Sequence, residues 1–272
     1  MASLAHNGLK PAHPNDAVRP RLVALWSAPG SVGRTSTALN LAAYAATKMR
    51  VLLLDLDFVA PSVALFAGAQ DLPSLSTVLY HHQISPSVDE EFLQEFAPYF
   101  AGSPQSFRMI AGLSRPERWP EIELHVLQNL LNDLAPFADL VVCDIHASSH
   151  KALAVNAVAR GILKQADSVI ALANANALAL ARLLSEIQDL QTLLPRSTAI
   201  HVAFNQLVAK PIQPPELNAF VELTKMPAPA TIREDHDVFG MLVARASTKA
   251  TLRKRSAYKS DIQALTHKVL GL

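Results

Sequence analysis

The segment Arg21–Leu41, RLVALWSAPGSVGRTSTALNL, decides how the rest of the chain is organised. Its apolar run Leu22–Trp26 predicts a buried strand, the small residues Ser27–Gly33 predict a turn, and a helix is expected to begin near Arg34. A turn of this kind points backbone N–H groups and the positive end of a helix dipole at one place. The segment therefore predicts an anion site, with phosphate as the expected anion.

The turn matches the phosphate-loop pattern G-x-x-x-x-G-K-[ST] in part. Gly33 and Thr35 fit it, whereas Ala28 stands at the first glycine and Arg34 at the lysine. The pattern by itself leaves two interpretations open, a phosphate loop and an ordinary glycine-containing turn. The context favours the phosphate loop, because the next aliphatic run ends in two acids, VLLLDLD (Val51–Asp57).

Short aliphatic runs alternate with helical patterns along the chain, which predicts an α/β fold with a doubly wound, mostly parallel β-sheet and helices on both faces. The predicted strands and helices after the first strand are Ser36–Lys48 (helix), Val51–Leu54, Met109–Ala111, Leu124–Leu134 (helix), Leu140–Cys143, Val169–Ala173, Leu178–Leu194 (helix) and Ile200–Phe204. Between Gly68 and Pro104 the periodicity is weaker and predicts short helices and loops, with Asp89, Glu90 and Glu91 at a helix start.

Composition limits the class of protein. The chain has 272 residues, of which 50% are hydrophobic, and we expect a flexible leader over residues 1–20 and a single domain over residues 21–272. A net charge of +1 excludes a composition that binds polyanions over the whole surface. The single cysteine, Cys143, excludes an internal disulfide and is expected to be a buried thiol. With no signal-peptide pattern and no apolar run of membrane-span length, we expect a cytoplasmic protein.

Three acids follow predicted strands of the sheet. Asp55 and Asp57 close the second strand, and Asp144 closes the run LVVCD. In a parallel sheet the carboxyl ends of the strands meet at one edge, so these side chains are expected near the anion site. A single aspartate there could be a helix cap, but three together have the oxygen chemistry that a Mg²⁺-bound polyphosphate requires.

With these residues assembled, the chain resembles the MinD/ParA family of deviant P-loop ATPases. The resemblance lies in three segments and in the run around the last predicted strand, and it covers about the whole chain after the leader. The three segments are PGSVGRTS (Pro29–Ser36), LLLDLDFVAPS (Leu52–Ser62) and LVVCDIHASS (Leu140–Ser149). The stretch IREDHD (Ile232–Asp237) looks like the late segment that packs on the base in that family.

The resemblance implies ATP and Mg²⁺ as cofactors, a homodimer, and a role for each matching residue. It places Arg34 on the β- and γ-phosphates and Asp57 near the attacking water, as the catalytic pair, and Asn205 against the adenine. Its implied Mg²⁺ ligands are Thr35, Asp55 and Asp144. Its implied nucleotide-binding residues are Gly30, Ser31, Val32, Gly33, Arg34, Thr35, Ser36 and Asn205.

Two departures from the family pattern bear on turnover. Pro29 stands where the family has the lysine that reaches the partner's phosphates, and proline has neither charge nor N–H donor. Arg34 keeps the charge of the loop lysine with a bulkier, planar group. The loop GSVGRTS also looks like that of actinobacterial relatives similar to the pilus-assembly proteins CpaE and TadZ, in which arginine replaces the lysine.

Several functions are compatible with these residues. The leading hypothesis is a slow ATPase that positions a cellular complex through a nucleotide-dependent dimer, and the alternative is a pseudo-ATPase that acts as a structural adaptor. A small-molecule ligase similar to dethiobiotin synthetase shares the fold. A nitrogenase-type reductase would need cluster cysteines, which the sequence lacks.

A local basic cluster precedes the last helical pattern. It consists of Arg245, Lys249, Arg253, Lys254, Arg255 and Lys259. Such a cluster is expected to attract duplex DNA or anionic membrane. The apolar positions Ile262, Leu265, Val269 and Leu270 of the following helix fit either membrane contact or packing on the sheet, and we favour packing.

Overall fold

A parallel sheet of seven strands forms the centre of the computed structural model, which describes residues 19–30, 32–100, 106–208, 215–235 and 256–272. The strands are β1 (Arg21–Ser27), β2 (Val51–Leu56), β3 (Arg108–Ile110), β4 (Leu140–Ile145), β5 (Ser168–Asn174), β6 (Ala199–Leu207) and β7 (Ala230–Arg233). They are nearly continuous aliphatic runs because a strand covered on both faces has no side that water can reach.

Helices connect the strands and cover both faces of the sheet. The α-helices are α1 (Arg34–Ala45), α2 (Val63–Ala67), α3 (Leu75–Ile84), α4 (Glu90–Phe96), α5 (Leu124–Leu134), α6 (Asn156–Leu163), α7 (Ala177–Leu193), α8 (Pro215–Thr224) and α9 (Ala257–Leu270). Two 3₁₀-helices, Pro116–Glu121 and Ala135–Phe137, flank α5. The acidic trio predicted to start a helix does so, since Asp89 accepts a hydrogen bond from the N–H of Phe92 at the start of α4.

The strand order is β3-β2-β4-β1-β5-β6-β7, and all six pairings are parallel. β1 is the central strand, hydrogen-bonded to β4 on one side and to β5 on the other. Because all strands run the same way, the loops after β1, β2, β4, β5 and β6 leave from one edge. This edge brings the phosphate-loop segment and the strand-end acids together.

Successive side chains of β1 point to opposite faces and enter two separate hydrophobic cores. Trp26 packs in the core beneath α3 to α8, whereas Leu25 packs in the core beneath α1, α2 and α9. Both side chains are fully buried. Cys143 on β4 belongs to the first core, and burial raises its pKa to about 12, so it is the unreactive buried thiol that was predicted.

The last helix packs on the sheet rather than presenting an apolar face to solvent. Its predicted apolar positions Ile262, Leu265, Val269 and Leu270 are buried in the second core, which confirms the interpretation that we favoured. Arg21 of β1 holds the end of this helix by donating to the carbonyl oxygens of Val269 at 2.5 Å and Leu270 at 2.8 Å. Of the described helices, none is both long enough and apolar enough to cross a bilayer.

The predicted fold class is confirmed, with one strand more than predicted. The short edge strand β7 was not expected; it pairs with β6 and is joined to α9 by an ion pair between Arg233 and Asp261 at 2.7 Å. Residues 1–18 of the predicted leader and five of the six basic-cluster residues lie outside the described residues. The division into leader and single domain remains a prediction.

Candidate functional site: the loop between β1 and α1

The turn from β1 into α1 depends on two glycines with positive φ. Gly30 has φ +142° and Gly33 has φ +73°, and Gly33 is the residue that precedes the first turn of α1. A Cβ atom on Gly33 would lie 2.5 Å from Nδ2 of Asn205, so the position has no room for a side chain. No described side chain caps α1, and the N–H groups of its first turn are therefore available to an anion.

Arg34, the first residue of α1, points into the protein beneath this turn. Its side chain is buried, and its Nε donates to Oδ1 of Asp144 at 2.9 Å. One terminal nitrogen donates to Oγ of Ser27 at 3.0 Å, and the other pairs with Oδ2 of Asp57. One guanidinium thus compensates two buried carboxylates that come from different strands.

Thr35 extends the same cluster toward the loop after β2. Its hydroxyl donates to Oδ2 of Asp144 at 2.5 Å and lies 3.1 Å from the hydroxyl of Ser62. Both oxygens of Asp144 therefore have partners on α1, one from Arg34 and one from Thr35. A threonine hydroxyl beside a carboxylate is a set of hard oxygen donors of the kind that Mg²⁺ prefers.

The two aspartates at the end of β2 have different partners. Asp55 accepts backbone N–H groups through both oxygens, from Asp57 at 3.1 Å and from Ser62 and Val63 at 2.9 Å each. Asp57 uses Oδ1 for the N–H groups of the loop that follows it and Oδ2 for Arg34. Asp55 thus shapes the loop, whereas Asp57 connects the loop to Arg34.

Burial changes the charge of this cluster. It is the main cause that raises the pKa of Asp55 to about 8, and the charge of Asp144 adds to the rise. Burial also raises the pKa of Asp144, although Arg34 and Thr35 act in the opposite direction. At neutral pH the site therefore carries less negative charge than three ionised aspartates would.

Asn205, from β6, reaches the same loop from the other side of β1. Its side-chain amide donates to the carbonyl oxygen of Val32 at 2.8 Å, and the residue is buried. Asn205 lies beside Asn174 in the sheet register, and Oδ1 of Asn174 is buried with no hydrogen-bond partner among the residues that the structure describes. These two amides lie at the carboxyl ends of neighbouring strands, beside the loop.

The structure brings together most of the residues that the sequence predicted. Arg34, Thr35, Asp57 and Asp144 form one hydrogen-bonded cluster, and Asp55 lies directly behind it. Gly30, Val32, Gly33 and Ser36 lie on the turn and on the first turn of α1, and Ser31 is outside the described residues. Among the basic-cluster residues only Lys259 is described, on α9.

Four residues of the site were not predicted. Ser27 and Ser62 supply hydroxyls to the Arg34 and Thr35 cluster, and Arg182 on α7 donates to the carbonyl oxygen of Pro29 at 3.1 Å. Gly112 leaves room for the loop after β2, since a Cβ there would lie 2.7 Å from Cβ of Pro61. Sequence spacing has no signal for Ser62, Gly112 or Arg182, whereas Ser27 occupies the strand end immediately before the loop.

In the described part of the chain, no group of three or more histidine, cysteine, aspartate or glutamate side chains is arranged to hold a metal ion. The cluster at Asp144 combines carboxylates with a threonine hydroxyl and is closed by an arginine. The cradle of the turn fits a phosphate, and the Thr35 and Asp144 oxygens fit a divalent cation that arrives with it.

Sequence comparison finds no match, either to a protein-family model or to a curated protein. Comparison with solved structures finds several similar proteins. A ParA family ATPase from Chlorobium tepidum TLS matches with a TM-score of 0.73 and 18% identity, over 91% of this chain and 98% of that one. The septum site-determining protein MinD from Pyrococcus horikoshii OT3, complexed with Mg-ADP, matches with a TM-score of 0.70 and 17% identity, over 92% and 95% of the two chains.

An ATP complex of a McdA variant from Cyanothece is similar as well, with a TM-score of 0.69, 16% identity, and coverage of 93% of this chain and 97% of that one. At these identities the likeness establishes the fold. The chain has the fold of the MinD and ParA ATPases, and two of these neighbours were solved with a bound adenine nucleotide.

Proposed function

We propose that this chain is a MinD/ParA-like ATP-binding protein, a slow ATPase that forms a nucleotide-dependent homodimer. Such a dimer would position or partition a cellular complex, for example a chromosome or plasmid, a septum site or a pilus. The observation that carries the proposal is the cluster beneath the turn, where Arg34 and Thr35 of α1 contact Asp57 and Asp144 from two different strands. Two of the structures that the chain resembles were solved with a bound adenine nucleotide, which agrees with a nucleotide as the ligand.

In this proposal the turn and the first turn of α1 hold the phosphates. The nucleotide-binding residues are Gly30, Ser31, Val32, Gly33, Arg34, Thr35, Ser36 and Asn205. Support comes from the positive φ of both glycines and from the uncapped start of α1, which leaves N–H donors for phosphate oxygens. The position of Asn205 beside Val32 supports a contact with the base.

We propose Thr35, Asp144 and Asp55 as the residues that hold Mg²⁺. Bound Mg²⁺ would neutralise negative charge on the phosphates. The Thr35 hydroxyl donates to Asp144 at 2.5 Å, so two oxygen donors already lie side by side. Asp55 lies directly behind this pair, where its oxygens accept backbone N–H groups, so its part would be to hold the surrounding loop in place.

Arg34 and Asp57 are the proposed catalytic pair. To reach the β- and γ-phosphates, Arg34 must exchange its bonds to Asp57 and Asp144 for bonds to phosphate oxygens. That exchange would leave Oδ2 of Asp57 free to orient a water molecule for attack. In this proposal, binding of the nucleotide by Arg34 is therefore the event that frees the Asp57 carboxylate.

A second candidate function is a pseudo-ATPase that serves as a structural adaptor. It is favoured by one specific observation: Arg34 already has acceptors for its three nitrogens inside the protein, from Ser27, Asp57 and Asp144. An arginine held in this way is a stable structural element without any nucleotide. The absence of a cation at Pro29 points in the same direction.

The branch of the family, the contact with DNA or membrane and the location in the cell are also proposals. The arginine in the GSVGRTS loop supports a place near the CpaE- and TadZ-like pilus-assembly proteins. The basic cluster that includes Arg253, Lys254 and Arg255 supports weak attraction to DNA or to anionic membrane. We propose a cytoplasmic location, with peripheral association at the nucleoid or membrane through that cluster.

Calorimetric titration with ATP and Mg²⁺ tests the proposal. We expect binding by the wild-type protein, weaker binding by Thr35→Ala, and unchanged binding by Thr47→Ala, which removes an exposed hydroxyl at the other end of α1. Sedimentation with and without ATP tests the dimer. No binding at millimolar nucleotide would reject the ATPase proposal and favour the adaptor.

A further inference from the structure

A second arginine lies on the outer side of the turn. Arg182 belongs to the second turn of α7, the helix that follows β5, and β5 is the neighbour of β1 in the sheet. Its side chain is exposed, and one terminal nitrogen donates to the carbonyl oxygen of Pro29 at 3.1 Å. The same nitrogen would lie 3.5 Å from a Cβ atom placed on Gly30. The guanidinium therefore rests against Pro29 and Gly30 of the turn.

Among the described residues, most of the donors of this guanidinium are without an acceptor. Arginine carries five N–H donors, and within the described residues the Arg182 side chain has one hydrogen bond, to Pro29. The next acid along the same face of α7, Glu186, has an oxygen that is buried with no hydrogen-bond partner in the described part of the chain, so it does not satisfy Arg182 through that atom. A planar guanidinium with free donors is suited to two parallel hydrogen bonds with a phosphate group.

The two arginines near the turn have complementary positions. Arg34 lies beneath it, buried and paired with Asp57 and Asp144. Arg182 lies outside it, exposed and bonded to a neutral carbonyl. Pro29, which accepts this bond, has no charge and no N–H donor. On the solvent side of the turn, the cation that the described residues place closest to Pro29 and Gly30 is thus Arg182.

We propose that Arg182 is a phosphate-contacting residue, which exchanges its bond to the Pro29 carbonyl for bonds to the terminal phosphates of a nucleoside polyphosphate held at the turn. This inference rests on the proposed function of the turn and deepens it. The cation comes from the same chain that holds the nucleotide, so the contact needs no second protomer. It favours a ligand with two or three phosphates over adenosine, because only the phosphate chain meets the guanidinium.

The test is calorimetric titration of the full chain with Mg-ATP, ADP and adenosine. We expect Arg182→Ala to weaken ATP binding about tenfold, as the loss of a charge-assisted hydrogen bond does, and to leave adenosine binding unchanged. Arg182→Lys should recover part of the affinity for ATP. Arg196→Ala is the matched control, because it removes the same charge from an exposed position at the opposite edge of the sheet, before β6.

The outcomes separate this inference from the proposed function. Equal ATP affinity of Arg182→Ala and wild type would overturn the role of Arg182 and leave the nucleotide site standing. An equal loss for ATP and adenosine would overturn it too, since that pattern means that Arg182 only supports the turn through Pro29. Absence of nucleotide binding by the wild-type protein would overturn both. Circular dichroism spectra and thermal unfolding of each variant verify that the fold is kept.

Discussion

Arg34 at the start of α1 donates through Nε to Oδ1 of Asp144 at the end of β4, at 2.9 Å, and both side chains are buried. The bond joins the loop that follows the central strand to the neighbouring strand of the sheet. Through its second contact, with Asp57, the same arginine also holds the loop after β2. One cationic side chain therefore ties three segments of the site together.

The first prediction concerns stability. Arg34→Ala would leave Asp57 and Asp144 buried without their cation, and we expect the free energy of unfolding to fall by about 3–5 kcal/mol. The free energy of unfolding of Arg34→Lys should lie between those of wild type and Arg34→Ala, since a single ammonium cannot reproduce the planar contacts with both acids. Urea unfolding measures these values, and Arg196→Ala, at an exposed site, should stay near wild type. An Arg34→Ala variant as stable as wild type would contradict the structural role of this arginine.

The second prediction is the pH dependence of stability. Burial raises the pKa of Asp55 from 3.8 to about 8, so the folded protein keeps a proton on Asp55 that the unfolded chain releases. Stability from this group is fully present below about pH 4 and is lost as the pH rises toward 8. The rise in the pKa of Asp144 acts in the same direction.

Denaturant unfolding at a series of pH values checks this second prediction. The free energy of unfolding should decrease between about pH 4 and pH 8, and Asp55→Asn should make the decrease smaller because asparagine does not titrate. Asp71→Asn, at an exposed position, is the control and should leave the slope unchanged. If the free energy of unfolding decreased more steeply with pH in Asp55→Asn than in wild type, a raised pKa of Asp55 in the folded protein would be contradicted.

The third prediction is slow turnover with better-preserved binding. A phosphoryl transition state needs positive charge from several directions, and an additional arginine or lysine donor can be worth about 10³ in rate. Pro29 supplies none, so we expect slow ATP hydrolysis. Asp57→Ala should abolish what remains, and Pro29→Lys should raise the rate only if a dimer forms with nucleotide between its subunits.

Phosphate release under single-turnover conditions, with sedimentation of each variant, measures this third prediction. Asp71→Ala serves as the control for the loss of an aspartate outside the site. Asp57→Asn distinguishes loss of the carboxylate from loss of the fold. Fast ATP hydrolysis by wild type that Asp57→Ala leaves unchanged would contradict the catalytic role of Asp57. It would also contradict the expectation that Pro29, which supplies no cation, lowers the rate.

The fourth prediction concerns nucleic acid. The basic cluster around Arg253, Lys254 and Arg255 should bind duplex DNA weakly, with an affinity that falls steeply as salt increases, because phosphate contacts release counterions. Replacing these three residues by glutamine should weaken binding in fluorescence anisotropy. The matched control replaces Lys151, Lys164 and Arg196, three exposed cations elsewhere on the surface, by glutamine. Binding that ignores salt, or that both triple variants retain, would argue against a DNA-binding face.

Much of the fold followed from local patterns. The apolar spacing of Leu124–Leu134 predicted α5 with its observed bounds, and the continuous aliphatic runs predicted six of the seven strands. β7, Ala230–Arg233, was not predicted because it is four residues long and follows a proline-rich stretch. Its stability depends on β6 and α9, which are distant in sequence.

The sequence predicted most of the residues that form the site, but not the hydrogen bonds that join them. Strand-end spacing placed Asp55, Asp57 and Asp144 at one edge, as parallel strands require. The spacing of the loop carried no information on the direction in which Arg34 points, because that depends on Ser27 and on acids from other strands. Arg182 occupies an exposed position of an amphipathic helix, where any polar residue fits the pattern equally well.

The central place of β1 has a consequence for how the protein is made. Arg21 pairs with Leu140 of β4, and Ala24 with Val169 of β5, so β1 leaves the ribosome long before either neighbour exists. At ordinary rates of synthesis the wait is on the order of ten seconds. During that time an apolar strand has no partner in its own chain, which is a hazard for aggregation. We therefore expect a chain that is released before β4 is made to be prone to aggregation.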